Sequence, residues 1–544
     1  MRAAVSLFPV LAAEGLRHAF AASRSMAGSC PPDAAQSSVV LVEAAQPLGA
    51  ACMADGHARA TGRFGVCLAA DAAQAAAMAP AAAAARADAS PVLFISASPD
   101  LAASLANGPS LLAPAMAASY IVEDPRRLQG RLRAALTRML AGAQGPTLLG
   151  LPADGTPDAP GDGAWTPLDE AVYRPRYADA AAVERLWRVL VPEGGDFTPT
   201  RLAVLAGAGV ERDGAVRRLI AFAEQFEIPV ATTARGKGAF PGDHRLHLGV
   251  FGPGGHDPAA GALLSPRLET LVVLGCGLPE EDGPDWERLA APSRRLVQVD
   301  ADPGVIGRSF GVDVPVAGDC RTALTLMLEG GSARINRLRA GNQARAAWLR
   351  QLRGEVPGRP EPADPAGDEA APSPPAVAEA LRRALSRDGC LVVDPGPVRQ
   401  VFTRAFTVYR PQAYFTASEV APAGWAVAAA VGVRLALPQR PVACVTDVSG
   451  MLSLGAEVVT AARLGLPVLF VVLGQGSPAA CGVDFAALGR SLGARGLTVA
   501  RAGELDAALA EGLAGPGPCL AQVRCAAPAS PGLPQGVDAA PASG

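Results

Sequence analysis

Two short stretches carry side chains that could hold a metal ion or a phosphate. Thr446-Asp447-Val448-Ser449 follows one apolar run, and Gly474-Gln475-Gly476 follows the next apolar run along the chain. Each run has the length of a buried strand, and the segment between them has the pattern of an amphipathic helix. The carboxyl ends of parallel strands meet at one edge of a sheet, so these side chains should lie close together. The scaffold suits a diphosphate site, in which Asp447 and Gln475 would be oxygen ligands of a metal and Ser449 a further cofactor contact.

A second group of polar residues follows apolar runs near the middle of the chain. Gly207 lies in a Gly-Ala-Gly turn after an apolar run, and Asp300 ends the run Arg294–Asp300. The turn lacks the full dinucleotide fingerprint, so tight backbone packing stays open beside phosphate binding. An acidic residue after such a strand can accept a hydrogen bond from a ribose hydroxyl, and a helix N-cap is the alternative for Asp300.

The elements that would position these residues alternate along the chain as short apolar strands and helical segments. This alternation predicts an α/β fold of doubly wound parallel sheets. We predict domains at 1–165, 178–330 and 376–527. A helix and a Pro- and Ala-rich linker are predicted over 331–375, and a disordered tail over 528–544. The first twenty residues suit an opening amphipathic helix better than a signal peptide.

Composition limits the class of protein. The chain has 544 residues and a net charge of -3, so we expect neither nucleic acid nor a charged membrane surface as its partner. The apolar runs are far shorter than the ~20 residues of a membrane span. The ten cysteines include no Cys-x-x-Cys pair, which favours a reduced, cytoplasmic protein over a disulfide or zinc framework.

In this order of α/β units, the chain resembles the thiamine-diphosphate-dependent enzymes. It is most similar to the acetolactate synthase large-subunit branch, with benzoylformate decarboxylase a more distant cousin. The resemblance covers nearly the whole chain and is strongest in Met53–Gly62, Ile228–His244, Val299–Asp319 and Gly424–Leu473.

The resemblance implies a pyrimidine-binding domain, a central domain and a diphosphate-binding domain, with thiamine diphosphate and Mg²⁺ as cofactors. It also implies FAD or ADP in the central domain, where Gly207, Lys237 and Asp300 match the nucleotide contacts. Cofactor sites in this family form between two subunits, so a homodimer or homotetramer is implied.

The family's catalytic glutamate falls on Pro47 when the chain is counted back from Met53. Proline has neither a carboxylate nor a backbone N–H, so it cannot move a proton. Glu43 lies four residues earlier and could substitute only through a remodelled loop; a charged residue at a strand end is the alternative.

The family's Gly-Asp-Gly metal loop falls on Asp447-Val448-Ser449, which places Val448 at the position of the magnesium ligand. A one-residue slip would restore Asp447 but would turn every side chain of the strand to the other face. The Asn-Asn pair falls on Gly474-Gln475. Beyond Gly476, roughly twenty residues of a lid are missing relative to the family, and a lid protects such a site from water.

Two functional hypotheses follow. The first is a divergent paralogue that keeps the fold, without the family's thiamine chemistry, as a homo-oligomer or as a hetero-oligomer with a competent relative. The second is an active thiamine-diphosphate- and Mg²⁺-dependent 2-oxo acid decarboxylase or carboligase that uses a remodelled site. Coordinated loss of several site residues favours the first hypothesis, because an active site works as a unit.

Overall fold

The structure is a computed structural model. It describes residues 3–22, 38–96, 112–151, 165–167, 169–173, 176–191, 200–279, 289, 294–330, 332–355, 368–475 and 482–525.

Six parallel strands form the first sheet, in the order β2-β1-β3-β4-β6-β5. The strands are β1 (His18–Ala21), β2 (Val40–Glu43), β3 (Gly65–Ala69), β4 (Val92–Ser96), β5 (Ala118–Ile121) and β6 (Thr147–Gly150). The α-helices of this part are Ala3–Ala13, Pro47–Thr61, Ala72–Ala77, Ala79–Ala87 and Leu128–Leu140.

The second sheet has the order β12-β11-β10-β7-β8-β9 and is also parallel. Its strands are β7 (Leu202–Ala206), β8 (Val230–Thr232), β9 (His247–Val250), β10 (Thr270–Leu274), β11 (Arg295–Asp300) and β12 (Val314–Ala317). The α-helices here are Glu170–Tyr173, Ala180–Leu190, Ala208–Arg212, Val216–Phe226, Asp257–Leu263, Cys320–Leu328, Ser332–Ala340 and Asn342–Glu355.

The third sheet has the order β14-β13-β15-β16-β18-β17, which repeats the strand order of the first sheet. Its strands are β13 (Cys390–Val393), β14 (Tyr414–Thr416), β15 (Val442–Asp447), β16 (Val468–Gln475), β17 (Arg495–Val499) and β18 (Cys519–Cys525). The α-helices are Pro374–Ala384, Pro397–Ala405, Trp425–Ala436, Val448–Leu454, Val458–Arg463, Phe485–Ser491 and Leu505–Ala514.

The central strands are buried at every position, and their successive side chains join different cores, because helices cover both faces of each sheet. In β3, Val66 and Leu68 belong to one buried core, while Cys67 and Ala69 belong to another. Successive side chains of a strand point to opposite faces, so both faces of the sheet are covered. The predicted α/β class with three doubly wound parallel sheets is confirmed.

One core joins the first and third sheets. The helices Pro47–Thr61 and Trp425–Ala436 pack against each other within it. Their approach is close, because a Cβ at Gly432 would overlap the carbonyl oxygen of Met53, and one at Gly56 would overlap that of Ala429. Small residues at these positions therefore set the spacing between the two helices.

The opening segment differs from the sequence prediction. The first helix ends at Ala13, and His18–Ala21 pair with β2 and β3 as a strand instead of continuing that helix. Ala19, Phe20 and Ala21 are buried in that sheet, and their burial outweighs the helical pattern read from the sequence. The predicted domain boundaries stay predictions, and the predicted tail at 528–544 lies outside the described residues.

Two further observations bear on the chain's class. None of the helices in the described part of the chain is long and apolar enough to cross a membrane. The cysteines found among the described residues are buried and form no disulfide.

Candidate functional site

The edge of the third sheet carries the residues predicted to bind diphosphate and metal. β15 ends at Asp447, and the helix that begins at Val448 is capped by that carboxylate, which accepts a hydrogen bond from the Gly450 amide at 2.8 Å. Ser449 is exposed one residue further on. β16 ends at Gln475 next to β15 in the sheet, so the backbone brings both predicted ligand positions to one edge.

The donor set at this edge does not match what Mg²⁺ prefers, which is several hard oxygen ligands in near-octahedral geometry. One carboxylate oxygen of Asp447 caps its own helix, and the next residue, Val448, has an apolar side chain that offers no oxygen ligand. Within the described ranges, no group of three or more His, Cys, Asp or Glu side chains could hold a metal ion.

Asp394 follows β13 directly and is a buried carboxylate at the same sheet edge. It belongs to none of the motifs that predicted the site. It accepts hydrogen bonds from the amides of Gly424 at 3.0 Å and Ala426 at 2.7 Å, and from the Thr446 hydroxyl. Burial raises its pKa to about 7. Asp394 thus ties β13 and β15 to the start of the helix Trp425–Ala436.

Pro47 takes the first position of its helix, where a missing N–H costs nothing because the first helical amides have no intrahelical partner. The two amides just before it are not free either. Ala45 donates to one carboxylate oxygen of Glu457 at 3.0 Å, and Gln46 donates to the other at 3.1 Å.

Glu457 comes from the third sheet's side of the interface and is fully buried. It also accepts a hydrogen bond from the Thr460 hydroxyl at 2.9 Å, and burial raises its pKa. A Cβ at Gly49 would overlap this carboxylate, so the glycine is needed for the close approach. Glu457 therefore anchors the loop before Pro47 to the third sheet.

The carboxylate of Glu43 lies beside Arg463, whereas that of Glu457 accepts from the amides of Ala45 and Gln46. Glu43 lies at the end of β2, with a carboxylate oxygen 3.5 Å from the guanidinium of Arg463, which also donates to the Glu43 carbonyl. Its surroundings match the alternative reading of a charged residue at a strand end.

The central sheet edge is crowded by glycines. A Cβ at Gly207 would overlap the Gly275 carbonyl oxygen, and one at Gly209 would lie 2.6 Å from the Gly275 Cα. A Cβ at Gly236 would in turn meet Gly207. Tight packing between neighbouring turns thus accounts for these glycines without a ligand.

A cavity of about 410 Å³ opens beside those turns, at the carboxyl ends of β7, β10 and β11. Asp300, Arg212 and Arg308 are among its lining residues. Asp300 accepts a hydrogen bond from the Asp302 amide at 2.9 Å, and burial raises its pKa, which the Arg212 charge opposes. Volume, position and mixed charge suit a nucleotide.

Lys237 does not line this cavity. Its ammonium is buried and donates to the carbonyls of Phe402, at 3.3 Å, and Thr403, and it lies 5.3 Å from the centre of the Tyr414 ring. Burial lowers its pKa to about 7. Lys237 therefore joins the central sheet region to the third.

The residues missed by sequence reasoning, Asp394 and Glu457, shared no motif with the predicted ones. Glu457 did have a local signal, since an acidic residue three positions before Thr460 in an otherwise apolar segment must find a polar partner when buried. Asp394 had a weaker one, an acidic residue directly after a fully apolar strand.

Comparison with known proteins places each sheet in one family. Residues 1–113 match the thiamine pyrophosphate enzyme N-terminal TPP binding domain, residues 199–327 the central domain, and residues 394–482 the C-terminal TPP binding domain.

Relatives that match most of the chain belong to one branch of this family. The acetolactate synthase large subunit of Corynebacterium glutamicum is 29% identical over 439 residues, 79% of this chain and 67% of the relative. Acetolactate synthase of Arthrospira platensis is 27% identical over 79% of this chain and 73% of its own length. The large subunit of Parasynechococcus marenigrum is 27% identical over 86% of this chain and 78% of its own length. The chain therefore belongs to the thiamine pyrophosphate-dependent enzyme family, on its acetolactate synthase-like branch.

Proposed function

We propose that this chain is a divergent family member that lacks the thiamine chemistry of its relatives and retains a nucleotide site in its central sheet. The observation that carries the proposal is at Pro47. The position of the family's glutamate holds a residue without a carboxylate, and Glu457 already occupies the two amides before it.

The thiamine half of the proposal rests on proton chemistry. The family's glutamate generates the reactive form of the cofactor by contacting its aminopyrimidine ring. Pro47 offers no group that could do so, and Glu43 lies beside Arg463. Glu457 is a carboxylate, but its oxygens accept three hydrogen bonds from protein donors.

The thiamine half rests also on the metal donors at the third sheet edge. Asp447 caps its helix and Val448 is apolar, so the diphosphate would lack its usual Mg²⁺ anchor. The alternative, an active 2-oxo acid decarboxylase or carboligase, needs Asp447 and Gln475 to form a makeshift site.

The nucleotide half rests on the central cavity. A nucleotide with the diphosphate of ADP or FAD would place negative charge near Arg212 and Arg308, and a ribose hydroxyl could donate to Asp300. Lys237 does not contact the nucleotide in this proposal, because its ammonium donates hydrogen bonds to two carbonyls of the third sheet region.

The assembly part of the proposal is a homodimer or homotetramer, or a hetero-oligomer with a competent relative. Relatives named as large subunits support an oligomer. Light scattering of the purified chain, alone and mixed with such a relative, tests it; a monomer in both samples would overturn it.

Calorimetry on the purified protein tests the two ligand claims separately. Thiamine diphosphate with Mg²⁺ should give no saturable heat, while ADP should bind with a Kd of about 10–100 µM. Arg308→Ala should weaken ADP binding about tenfold, and Arg267→Ala, an exposed arginine outside the cavity lining, should not.

Micromolar binding of thiamine diphosphate that disappears with EDTA would overturn the thiamine claim and favour the active-enzyme alternative. The double variant Pro47→Glu/Val448→Asp should stay inactive towards 2-oxo acids because the lid segment is short. Measurable turnover by that variant would contradict this reading of the lid. Failure of ADP to bind would overturn only the nucleotide claim.

A further inference from the structure

A smaller cavity, of about 150 Å³, adjoins the cavity of about 410 Å³ to which the nucleotide was assigned. We call the larger one the nucleotide cavity and the smaller one the junction cavity. Pro91 of the first region, Glu211 of the central region and Phe415 of the third region line the junction cavity. A dinucleotide such as FAD has a second half beyond its diphosphate, and the junction cavity is the adjoining space into which that half would extend.

A wall that contains an ion pair lies between the two cavities. The residues that line both of them are Asp88, Ala89, Gln144, Ala208, Arg212 and Arg235. Within this wall, a guanidinium nitrogen of Arg235 lies 2.5 Å from a carboxylate oxygen of Asp88. A ligand that extends from the nucleotide cavity into the junction cavity therefore has to displace part of this wall.

Asp88 is held in the wall by all three sheet regions. Besides Arg235 of the central region, it binds Arg59 of the first region at 2.8 Å and accepts from the Ser418 amide of the third region at 2.9 Å. The Asp88 side chain is only 3% exposed. Moving Arg235 aside would take one cation from a buried carboxylate, which is strongly unfavourable. The wall should therefore stay closed when a ligand binds.

The volumes of the two cavities suit one nucleotide and leave no space for a flavin. Pockets that enclose a small-molecule ligand measure about 300–1,000 Å³, and the nucleotide cavity lies near the lower end of that range. A cavity of about 150 Å³ holds a molecule of the size of benzene. The isoalloxazine of FAD is tricyclic and carries a ribityl chain, so it does not fit the junction cavity while the wall stands.

The charges of the nucleotide cavity favour a terminal phosphate. The charged residues on its lining are five arginines and three aspartates, Arg86, Arg138, Arg212, Arg235, Arg308, Asp88, Asp300 and Asp302. Within the described ranges, Arg86 and Arg308 form no hydrogen bond or ion pair through which another residue would neutralise them. A terminal phosphate has a second ionisation near pH 6, which the bridging diphosphate of a dinucleotide lacks. The surplus of positive charge therefore suits a nucleoside diphosphate better than FAD.

We infer that the central site selects a nucleoside diphosphate such as ADP, and that Arg235 excludes dinucleotides by closing the way into the junction cavity. FAD, which the resemblance implied for this region, does not fit the residues present. Asp88 is a positioning residue, because it holds the Arg235 guanidinium in the wall. The inference rests on the nucleotide site proposed above and adds to it the class of ligand.

Calorimetry of the purified wild-type protein with ADP, NAD and FAD tests the class of ligand. FAD and NAD should each bind at least about tenfold more weakly than ADP, because their second half has no space and their diphosphate carries less charge. NAD separates the effect of size from any property of the flavin ring. FAD that binds as tightly as ADP, or more tightly, would overturn the inference.

Variants test the role of Arg235. Arg235→Ala should raise the ratio of FAD affinity to ADP affinity about tenfold, because it opens the wall. Arg235→Lys should keep the wild-type ratio, since an ammonium can still pair with Asp88. Arg245→Ala is the matched control, because Arg245 is an arginine of the same region whose ion pair with Glu227 lies outside both cavity linings.

Gln144→Ala is a second way to open the wall, and it breaks no ion pair. The Gln144 amide donates to the Leu140 carbonyl at 3.0 Å, and the residue lines both cavities. This variant should raise the affinity ratio severalfold, and it keeps the test decisive if Arg235→Ala fails to fold.

The outcomes separate this inference from the proposed function. If ADP gives no saturable heat, the nucleotide site itself is wrong and the inference is wrong with it. If ADP binds and the affinity ratio in the wall variants equals that in Arg245→Ala, only the role of the wall is refuted. A ratio that rises equally in Arg235→Ala and Arg235→Lys would also contradict it, because the ion pair would then not close the wall.

Discussion

Lys237 is the only lysine in the chain, and its surroundings assign it a role other than the one its motif indicated. Its buried ammonium faces two carbonyls and the Tyr414 ring, and burial lowers its pKa to about 7. His247 and His256 are close enough for the lysine charge to lower their pKa values as well, after burial as the main cause. A buried charge to which the described part of the chain brings no carboxylate partner makes the free energy of unfolding depend on pH.

We predict that Lys237→Met removes a rise in stability between pH 7 and about pH 10. The unfolded chain holds the lysine proton up to a pKa near 10.5, while the folded chain releases it near 7, so folding is favoured as pH rises through this window. Urea unfolding of wild type and variant at several pH values measures the gap. Arg501→Met, at an exposed position, is the control. A gap between wild type and Lys237→Met that stays constant from pH 7 to 10 would contradict the prediction.

The helices Pro47–Thr61 and Trp425–Ala436 can pack closely only because glycine has no side chain at their contact. Gly432 lies mid-helix, where alanine is normally favoured by up to about 1 kcal/mol. Here the added Cβ would overlap the Met53 carbonyl oxygen on the facing helix. Backbone cannot yield as a flexible side chain can, so the packing cost exceeds the helix gain.

We expect Gly432→Ala to destabilise the protein by about 2 kcal/mol or more, in line with overpacked cores. Gly130→Ala is the matched control, because Gly130 lies in the helix Leu128–Leu140 with nothing within 4 Å of its added Cβ. That control should be neutral or stabilising by up to about 1 kcal/mol. Denaturant unfolding measures the change in the free energy of unfolding for both variants. Equal changes would contradict the prediction, because they would mean that the two helices can move apart without loss of stability.

At the scale of the whole molecule, a buried chain of charges connects all three sheet regions. Asp55 binds Arg59 at 2.9 Å, Arg59 binds Asp88 at 2.8 Å, and Asp88 binds Arg235 of the central region at 2.5 Å. The Trp425 indole donates to Asp55 at 2.9 Å from the third region. Burial alone would raise the pKa of Asp88, but Arg59 and Arg235 outweigh it and hold that pKa below its ordinary value.

Asp88→Asn should lower the free energy of unfolding by about 3 kcal/mol or more, because it leaves two buried guanidiniums without their shared carboxylate. The exposed pair of Arg501 and Glu504 supplies the control, since Glu504→Gln removes an ion pair that water screens and should change stability far less than Asp88→Asn does. Thermal unfolding monitored by calorimetry measures both changes. A loss at Asp88 no larger than that at Glu504 would mean that the buried chain does not hold the regions together.

The sequence by itself determined the fold class and the strands that carry the predicted site. Apolar runs such as Val468–Leu473 are typical of strands buried on both faces of a parallel sheet, and such runs can be recognised from the order of residues alone. Counting residues along the chain also led to the prediction that Pro47 and Val448 stand at the family's catalytic and metal positions, and that part stays a prediction.

Only the tertiary structure decided what the polar residues contact. Asp447 caps a helix, Lys237 faces carbonyls of another region, and Glu457 holds the loop before Pro47 across 411 positions of the chain. The strand His18–Ala21 likewise depended on its partners β2 and β3. Partners of this kind are distant in sequence, and a buried polar group is satisfied by whichever donor or acceptor the fold brings near, which local pattern cannot specify.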